Sequence, residues 1–303
     1  MLSFEKLTPE LREKYEACLS QSEEKCCEYS FVNLNVWGRQ RVAFLEGFAL
    51  LFAQFARFSV YPFPVGSGDL RLPLDAIIQD AAQRGIPCRI SSMTEKECAL
   101  LEALYPGKFR FHPDRDDYDY VYAIDDLADL KGKRYQSKRN YVNRFAAAHP
   151  DYRLLPLDDT TVPLARQVAA QWFEERLSQD PQADFLLEKT ALERTFSGRK
   201  VMDLEGLLLM DGDTPLAFAV GSRLSANTFD IHFEKALDIA EGAYAVINQA
   251  FARYLREKYP ELQYLNREDD MGIPGLRKAK LSYHPHHLVE KYWARLWEDE
   301  DAN

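Results

Sequence analysis

The chain has 303 residues, of which 46% are hydrophobic and 28% charged, the balance of a globular protein with one large domain or two smaller ones. A formal net charge of −10 argues against a protein that binds long nucleic acids over its whole surface. No apolar run is long enough to cross a bilayer and the first residues lack a signal-peptide pattern, so we expect a cytoplasmic protein without a transmembrane segment.

The first half of the chain is predicted to mix strands and helices. Strands are predicted at 2–5, 31–37, 41–45, 49–52, 58–63, 88–91, 109–114 and 118–123. Helices are predicted at 8–20, 74–84 and 94–104. Glu46 and Gly47 favour a hairpin turn, Gly85 favours a helix end, and Thr94 and Glu97 have the spacing of a capping box.

The second half is predicted to continue with a different order of elements. Helices are predicted at 130–148, 161–177, 188–196, 243–259 and, as a short basic helix, around 277–280. Strands are predicted at 152–156, 204–210, 214–224, 228–235, 262–265 and 288–296. Three meandering strands followed by a helix and a strand predict a mixed sheet with antiparallel hairpins and one βαβ unit.

Charge is unevenly distributed along the chain. Residues 131–144 contain six basic side chains and no acid, whereas acids concentrate at 114–126 and in the tail at 298–301. A local basic segment on an acidic protein suggests contact with a limited anionic group, and a solvated helix is the alternative. Tyr135 and Tyr141 lie among these charges and could stack bases. The six basic residues are Lys131, Lys133, Arg134, Lys138, Arg139 and Arg144.

The segment from Tyr264 to Tyr283 has the pattern of a ligand site. Five polar residues, 266–270, follow a predicted strand directly, and a turn with glycines then leads into the basic helix. Strand ends followed by helix starts gather unpaired backbone N–H groups, which is where α/β proteins often bind ligands. The alternative is a solvated loop whose acids pair with the basic helix.

Four sequence strings resemble one bacterial protein family. They are LKGKRYQSKRNYVNRF, HFEKA, GAYAVINQAFA and YLNREDDMGIPGLRKAKLSY, and the resemblance covers about residues 15–295. This family of unknown function is grouped with the C-terminal domain of phosphatidylglycerol lysyltransferases. The resemblance implies an α+β protein with two tandem acetyltransferase-like (GNAT) domains, each a mixed, mostly antiparallel sheet flanked by helices. The domains are expected at 1–129 and 151–303, joined by a basic linking helix at 130–150.

The resemblance also implies a donor and leaves the acceptor open. In the related Fem transferases the donor is an aminoacyl-tRNA and the second domain carries the reaction. The membrane half of true lysyltransferases has no counterpart here, so the resemblance does not assign phosphatidylglycerol as the acceptor, and a small-molecule or lipid acceptor is left open. Acetyl-CoA is the less expected donor, because the phosphate-binding turn of acetyltransferases is reduced to Gly242 in the stretch 239–244, with Glu241 beside it.

Candidate site residues fall into three groups. His232 and Glu234 alternate onto one face of a predicted strand and could act as the base, with Tyr283 as a proton donor; structural hydrogen bonds are the alternative. A second group could bind the substrate: Tyr244, Asn248, Asn266, Arg267, Glu268, Asp269, Arg277, Lys278 and Lys280. The six basic residues of 131–144 could bind a tRNA acceptor end or another phosphate. No metal is predicted, because no histidine neighbours the acids at ligand spacing.

These features predict an acyltransferase that moves an aminoacyl group from an aminoacyl-tRNA-like donor to an amine or a hydroxyl. Two alternatives remain: a CoA-dependent N-acyltransferase with a degenerate phosphate loop, and a catalytically silent module that binds an amino acid or aminoacyl ligand. A pocket that retains His232, Glu234 and Glu268 but binds no activated donor would favour the silent module, and an intact donor tunnel between strands would favour an enzyme.

Overall fold

The computed structural model describes residues 1–22, 26–55 and 57–297, so the predicted acidic tail at 298–301 lies outside the described residues. The chain divides into two compact units. The first unit contains Met1–Asp119, Asp269–Ile273 and the chain from Leu288, and the second contains Tyr120–Glu268 and Pro274–His287. These bounds differ from the domains predicted at 1–129 and 151–303, and that domain assignment stays a prediction.

Strands and helices alternate along both units. The strands are β1 (Glu5–Lys6), β2 (Gln40–Leu45), β3 (Phe48–Gln54), β4 (Ser59–Pro62), β5 (Val65–Gly66), β6 (Arg89–Met93), β7 (Phe109–Pro113), β8 (Asp119–Ala123), β9 (Tyr152–Pro156), β10 (Glu205–Asp211), β11 (Thr214–Arg223), β12 (Thr228–Ala236), β13 (Tyr264–Asn266), β14 (His287–Val289) and β15 (Tyr292–Leu296). The helices are α1 (Arg12–Leu19), α2 (Phe31–Trp37), α3 (Arg71–Arg84), α4 (Glu95–Leu104), α5 (Ile124–Asp129), α6 (Gln136–Ala148), α7 (Val162–Gln179), α8 (Leu186–Gly198), α9 (Ala243–Lys258) and α10 (Pro274–Leu281). The predicted α+β class with mixed sheets is confirmed.

The sheet of the first unit is completed by the C-terminal strand. Its order is β1-β2-β3-β4-β6-β15-β7, with β5 on β3, and the β4–β6 pair is parallel. Leu74 and Ile77 of α3 are fully buried in one core with Tyr61 and Ile90 of the sheet. The single strand predicted at 288–296 is therefore wrong in detail: it is two strands, and the second of them lies between β6 and β7.

The sheet of the second unit places β12 and β13 side by side. The order runs β8-β13-β12-β11-β10-β9, and β12–β13 is the parallel pair of a βαβ unit whose helix is α9. This confirms the predicted antiparallel meander followed by a βαβ unit. Helix α9 packs on β10, β11 and β12 and also against α5 and α6, and nine of its side chains are buried.

Two further sequence predictions of local structure are wrong. Residues 31–37 form helix α2 instead of a strand, because the Ser30 hydroxyl caps the helix by accepting from the Asn33 N–H and nearly every side chain is buried. Burial on all sides removes the polar face that would reveal a helical period. The helix predicted from 130 to 148 begins only at Gln136, because Leu130, in the left-handed conformation, ends the unpredicted helix α5.

Several local predictions are confirmed. Glu46 and Gly47 both have positive φ and join β2 to β3. Gly85 is left-handed at the end of α3. Thr94 forms the predicted capping box at the start of α4. Among the described residues, no helix combines the length and the apolar character required to cross a bilayer.

Candidate functional site

A carboxylate at the end of β12 holds two side chains from other elements. Glu234 Oε1 accepts a hydrogen bond from Arg267 Nη2 at 2.9 Å, and Glu234 Oε2 accepts one from Asn248 Nδ2 at 3.1 Å. Arg267 follows β13 and Asn248 lies on α9, so three elements of the second unit meet at this carboxylate. We call Glu234, Asn248, Arg267, Lys138 and Tyr283 the Arg267 cluster.

The strand register explains why these residues meet. The strands β12 and β13 are parallel, with Asn266 opposite Asp230, so the chain that leaves β13 continues alongside the second half of β12. Asn266 then shapes the turn, since its Oδ1 accepts from the Glu268 N–H at 2.8 Å while Glu268 has a φ of 56°. This turn presents Arg267 to Glu234.

Two aromatic and cationic side chains complete the Arg267 cluster. The Arg267 guanidinium carbon lies 5.0 Å from the centroid of the Tyr283 ring, and Lys138 Nζ lies 3.9 Å from the same centroid. Lys138 Nζ also donates to Ser282 Oγ at 2.7 Å. The Tyr135 hydroxyl donates to the Tyr283 carbonyl at 3.0 Å, which fixes the backbone that carries the ring.

Burial changes the protonation chemistry of the cluster. Burial lowers the pKa of Arg267, but the Glu234 carboxylate raises it. The pKa therefore lies above its ordinary value, and the guanidinium is charged. Burial, together with the nearby Arg267, lowers the pKa of Lys138. Burial raises the pKa of Tyr283, so its hydroxyl holds its proton at neutral pH, which makes it a weak acid for the predicted role of proton donor.

Two polar atoms of the cluster are buried and have no hydrogen-bond partner. They are Arg267 Nη1 and Asn248 Oδ1, and neither has a partner among the residues that the structure describes. Asn248 is 4% exposed. Leaving such an atom unsatisfied costs about 1–3 kcal/mol, so proteins rarely do so without a ligand or a bound water to complete it. These two atoms make the cluster a candidate site for a polar ligand.

His232 lies in a neighbouring group of hydrogen bonds. Its Nε2 lies 2.8 Å from Ser222 Oγ, and its Nδ1 lies 3.1 Å from Glu268 Oε1 and 3.6 Å from Asp230 Oδ2. The order serine, histidine, carboxylate matches a hydrolytic triad. However, Ser222 is only 4% exposed, and both ring nitrogens of His232 are engaged. The group does not present a serine nucleophile to solvent.

The expected shared pocket of His232 and Glu234 is not what the structure has. The register between β11 and β12 shifts at Val220 and Gly221, which pair with Phe233 and Ile231 and leave His232 as an additional residue. Such a bulge interrupts the alternation of side chains along a strand. His232 thus contacts Ser222 and Glu268, whereas Glu234 contacts Asn248 and Arg267.

The proximity of His232 to two carboxylates could not be seen from sequence spacing. Ligand atoms of Asp230, His232 and Glu268 lie within 4.8 Å of one another and could hold a metal ion. The prediction of no metal relied on neighbours along the chain, and Glu268 is 36 residues from His232. The signal that could have revealed it is the parallel pairing of β12 with β13, which places residue 268 beside residue 232.

The predicted run of acids is divided instead of forming one group. Glu268 contacts His232 in the second unit. Asp269 belongs to the first unit, where it lies near Cys27 and Asp119 and accepts from the Met271 N–H at 3.0 Å. Asp270, also in the first unit, pairs with Arg115 at 3.3 Å and accepts from the Gly272 N–H.

The basic helix α10 does not present its cations on one open face. Lys280 is buried, and its Nζ donates to the carbonyls of Arg267 at 2.5 Å and Glu268 at 3.1 Å. It stabilises the turn after β13, which corrects the expectation that it shares a phosphate with Arg277. Arg277 is half-buried and Lys278 is exposed.

The basic segment 131–144 contributes one residue to the Arg267 cluster, Lys138. The other five lie toward the surface: Lys131 pairs with Asp129, Arg134 with Asp126 and Arg144 with Glu241, Arg139 donates to the carbonyls of Leu130 and Gly132, and Lys133 is exposed. Tyr135 is fully buried, so the expectation that it stacks bases is wrong. Tyr141 is 39% exposed and remains available.

The start of α9 is closely approached by α6. Gly242 has a φ of 94°, and a Cβ atom at this position would lie 2.7 Å from the Tyr141 carbonyl oxygen. Tyr244, four residues before Asn248 on the same helix, accepts a hydrogen bond from Trp172 Nε1 at 2.8 Å. Trp172 also faces the buried Lys235, whose Nζ lies 3.4 Å from the ring centroid. The prediction that Tyr244 and Asn248 bind the substrate from one side of this helix stays a prediction.

Comparisons with known proteins agree with this architecture. Residues 20–295 match the model of a family described as phosphatidylglycerol lysyltransferase, C-terminal. The crystal structure of a conserved protein of unknown function from Bacteroides thetaiotaomicron VPI-5482 is 35% identical, has a TM-score of 0.92, and covers 98% of this chain and 100% of its own. The C-terminal domain of a putative lysylphosphatidylglycerol synthetase from Agrobacterium fabrum is 16% identical, with a TM-score of 0.67 and coverage of 96% and 94%.

Two further proteins are similar to this chain, one in its fold and one in part of its sequence. A tandem GNAT protein from the clavulanic acid biosynthesis pathway has a TM-score of 0.52 at 9% identity, and covers 99% of this chain and 100% of its own, which confirms the expected tandem GNAT-like fold. An uncharacterized protein from Mycoplasmoides gallisepticum is 24% identical over 183 residues, 59% of this chain. The matched part spans 56% of that relative's length.

Proposed function

The chain belongs to the family of phosphatidylglycerol lysyltransferase C-terminal domains, whose fold is that of aminoacyl-transferase-like acyltransferases. On this premise we propose that it transfers an aminoacyl group from an aminoacyl-tRNA-like donor to an amine or hydroxyl acceptor. The observation that carries the proposal is the pair of unpartnered buried atoms, Arg267 Nη1 and Asn248 Oδ1, on either side of Glu234. An ester carbonyl could accept from the unused donor, Arg267 Nη1, while the unused acceptor, Asn248 Oδ1, requires an N–H or O–H group elsewhere on the ligand.

The charges of the cluster suit acyl transfer. Arg267 and Lys138 are two cations against the single carboxylate of Glu234, so the site favours negative charge. Attack on an ester carbonyl places negative charge on its oxygen, and donors fixed at that position stabilise the transition state. Arg267 Nη1 is the donor that has no protein partner.

The reaction balances with the residues of the cluster. The acceptor's nitrogen or oxygen forms a bond to the acyl carbon, and the ester bond to the ribose oxygen breaks. The proton that the acceptor loses passes to Glu234, which retains free lone pairs beside its two hydrogen bonds, and ends on the released ribose hydroxyl. Tyr283 provides the aromatic wall of the site and keeps its own proton.

The basic segment 131–144 supports an RNA donor. Arg134 and Lys138 lie four residues apart, so one turn of chain connects a surface cation to the cation inside the cluster. Lys133, Arg134 and Arg144 are exposed and could follow phosphates that lead to the acceptor end. The acceptor, whether a small molecule or a lipid, is left open by these contacts.

An acetyl-CoA donor has less support. Acetyltransferases of this fold bind the pyrophosphate at the start of the helix that corresponds to α9. Here the Tyr141 carbonyl lies against Gly242, and Glu241, a carboxylate paired with Arg144, lies at the same helix start. Both features oppose a bound phosphate.

Single-turnover transfer tests the proposal. The protein is mixed with tRNAs charged with different labelled amino acids and, as acceptors, with phosphatidylglycerol vesicles or a panel of small amines and hydroxyl compounds. We expect protein-dependent movement of label from at least one tRNA to one acceptor, reduced at least tenfold in Arg267→Lys. Gln249→Leu is the matched control, because Gln249 is an equally buried amide next to Asn248 that instead donates to the Ala128 carbonyl.

Three results would redirect the proposal. Transfer of label from acetyl-CoA alone would favour the CoA-dependent enzyme. Binding of charged tRNA or of amino acids without turnover in any acceptor panel would favour the silent module. Equal rates in wild type and Arg267→Lys would place the reaction away from the Arg267 cluster.

A further inference from the structure

We infer that Asp230, His232 and Glu268 bind a divalent transition-metal ion, zinc in preference to magnesium or calcium. The imidazole would bind the ion through Nδ1, and each carboxylate would bind it through one oxygen. The inference goes beyond the proposed function and does not depend on it, because metal binding is measured without any transfer reaction.

The ligand atoms converge on one ring nitrogen of His232. Its Nδ1 lies 3.1 Å from Glu268 Oε1 and 3.6 Å from Asp230 Oδ2, and ligand atoms of the three residues all lie within 4.8 Å of one another. Zinc bonds to nitrogen and oxygen are about 2.0–2.2 Å long, so two ligands at a tetrahedral angle are about 3.4 Å apart. The two separations from Nδ1 lie on either side of this value.

The other ring nitrogen of His232 is held by a buried hydroxyl. Nε2 lies 2.8 Å from the Oγ of Ser222, which is 4% exposed. A histidine that binds a metal through one nitrogen generally donates the N–H of the other to a fixed acceptor, which sets the tautomer and the orientation of the ring. Ser222 can accept from Nε2, and the lone pair of Nδ1 then faces the two carboxylates.

The backbone that carries Glu268 is fixed by hydrogen bonds from three other residues. Its N–H donates to Asn266 Oδ1 at 2.8 Å, and its carbonyl accepts from Lys280 Nζ at 3.1 Å and from the Tyr120 N–H at 3.1 Å. A ligand whose backbone is already fixed loses less freedom when an ion binds. An ion at this position would also link β12 to the turn that carries Arg267, the residue before Glu268.

Burial and charge favour an ion over a proton as the shared cation. The side chains of Asp230 and His232 are 0% and 1% exposed, whereas that of Glu268 is 19% exposed and gives an ion a route from solvent. Buried carboxylates require positive charge close by. One proton on His232 compensates one carboxylate, whereas a divalent ion compensates both.

The donor set indicates the kind of metal. One imidazole and two carboxylates suit zinc, which accepts nitrogen and oxygen ligands together. Magnesium and calcium bind almost entirely through oxygen.

A second group of possible ligands in the first unit already holds a cation. It consists of Cys27, Asp119 and Asp269, whose ligand atoms also lie within 4.8 Å of one another. Lys291 Nζ lies 2.6 Å from Asp119 Oδ1, so an ammonium group takes the place that an ion would need. The group around His232 is therefore the stronger candidate.

The experiment is a zinc titration of the full chain after treatment with a chelator. Affinity is measured by isothermal titration calorimetry, and the zinc that stays bound after gel filtration is measured by mass spectrometry. We expect a single ion per chain, bound about 10–100-fold more weakly in Ser222→Ala, which loses only the hydrogen bond to His232. Glu268→Gln loses a ligand and should weaken binding by at least about 100-fold.

Asp211→Asn is the matched control. Asp211 Oδ2 lies 2.7 Å from His149 Nδ1, a histidine–carboxylate contact elsewhere in the second unit, and its substitution should keep the wild-type affinity. Circular dichroism checks that each variant folds. Zinc should also raise the unfolding temperature of wild type and of Asp211→Asn, but not that of Glu268→Gln.

Three results would overturn the inference and leave the proposed function standing. If wild type binds no zinc, the contact between His232 and Glu268 is a hydrogen bond only. Equal affinities in wild type, Ser222→Ala and Glu268→Gln would place the ion elsewhere. Zinc that is lost in Asp269→Asn but kept in Glu268→Gln would assign it to the group around Cys27.

Discussion

Arg267 and Glu234 form an ion pair, 2.9 Å between Nη2 and Oε1, with side chains only 14% and 10% exposed. A pair this sheltered from water differs from a surface pair, because either charge left alone would lack both solvent and counterion. The same pair also leaves Arg267 Nη1 without a protein partner among the described residues. The ion pair through Nη2 thus leaves Arg267 Nη1 unsatisfied, and the same atom is the one that a ligand could bind.

Substitution of either partner of this ion pair should reduce transfer strongly and without additivity. We expect Glu234→Gln and Arg267→Lys each to slow single-turnover transfer about 100-fold, because the first removes the charge that positions Arg267 and the second removes the terminal nitrogen aimed at the reacting oxygen, and loss of one such donor costs about that much. The double variant should transfer little more slowly than either single variant, since both substitutions break the same ion pair. Arg223→Lys is the control: its pair with Glu261 is exposed at 38% and 52%, and it should leave the rate unchanged. Additive losses would contradict a shared role.

Lys138 should determine the alkaline limit of activity. Its pKa is lowered by burial and by Arg267, so its ammonium is lost at a lower pH than that of an ordinary lysine. If the charge helps to stabilise the reacting oxygen, the rate falls as pH rises through this lowered pKa. Lys138→Arg keeps its charge to much higher pH and should therefore move the alkaline limb upward, even if its rate at neutral pH is lower. The measurement is the background-corrected transfer rate from about pH 6 to 10.

The control for this pH profile is Lys133→Arg, because Lys133 is exposed on the same basic segment. Its alkaline limb should coincide with that of wild type. A Lys138→Arg profile that also coincides with wild type would assign the alkaline limb to another group or to the acceptor itself.

Lys291 should be essential to the stability of the first unit. Its Nζ lies 2.6 Å from Asp119 Oδ1 and 2.7 Å from both oxygens of Glu28, and the residue is 2% exposed. Burial lowers the pKa of Lys291, but the carboxylate of Asp119 raises it. The pKa therefore lies well above its ordinary value, and the ammonium persists at neutral pH. Lys291→Met would leave two carboxylates without their cation and should lower the free energy of unfolding by about 3–5 kcal/mol.

Urea denaturation checks this expectation, with Lys6→Met as the control, because Lys6 is exposed on the edge strand β1 of the same unit. The control should change the free energy of unfolding by less than about 0.5 kcal/mol. Adding Asp119→Asn to Lys291→Met should recover part of the loss, since it removes one of the uncompensated charges. Equal stability of the two lysine variants would show that the network is not structurally important.

The elements that sequence reasoning predicted correctly depend on residues close together in the chain. Thr94 and Glu97 signal a helix start through hydrogen bonds three residues apart, and Gly85 signals a helix end through its own backbone conformation. The hairpin at Glu46 and Gly47 likewise requires only two residues with positive φ. Such signals can be recognised in a single sequence because they depend only on residues that are close together in the chain.

The site was predicted only in part, because its geometry depends on strand register. The stretch after β13 was singled out, and Arg267, Glu234 and Asn248 were all candidates, but their shared hydrogen bonds were not foreseen. His232 is the additional residue of the bulge in β12 and contacts different partners from Glu234, and a bulge leaves no signature in residue types. The division of the acids between two units depends on contacts with Arg115 and His232, which are distant in sequence.

Gly242 should be required for the packing of α6 on α9, on which the cluster depends. Its φ of 94° and the Tyr141 carbonyl oxygen, 2.7 Å from where a Cβ would lie, both oppose a side chain. Gly242→Ala should therefore cost more than Gly212→Ala, because Gly212 has a φ of 54° with nothing within 4 Å of its Cβ position. In the control, Gly212→Ala, only the left-handed backbone is strained, which should lower the free energy of unfolding by about 1–2 kcal/mol. In Gly242→Ala the close contact should add about 1–3 kcal/mol to this loss.

The same substitution separates a structural from a functional consequence. Lys138 lies on α6 and Asn248 on α9, so a shift of one helix against the other changes their separation in the cluster. Transfer by Gly242→Ala, measured well below its unfolding temperature, should fall at least tenfold, because small displacements of positioned groups are costly in catalysis. Gly212→Ala should retain the wild-type rate. If Gly242→Ala is destabilised yet transfers normally, the contact between the helices supports the fold without positioning Lys138.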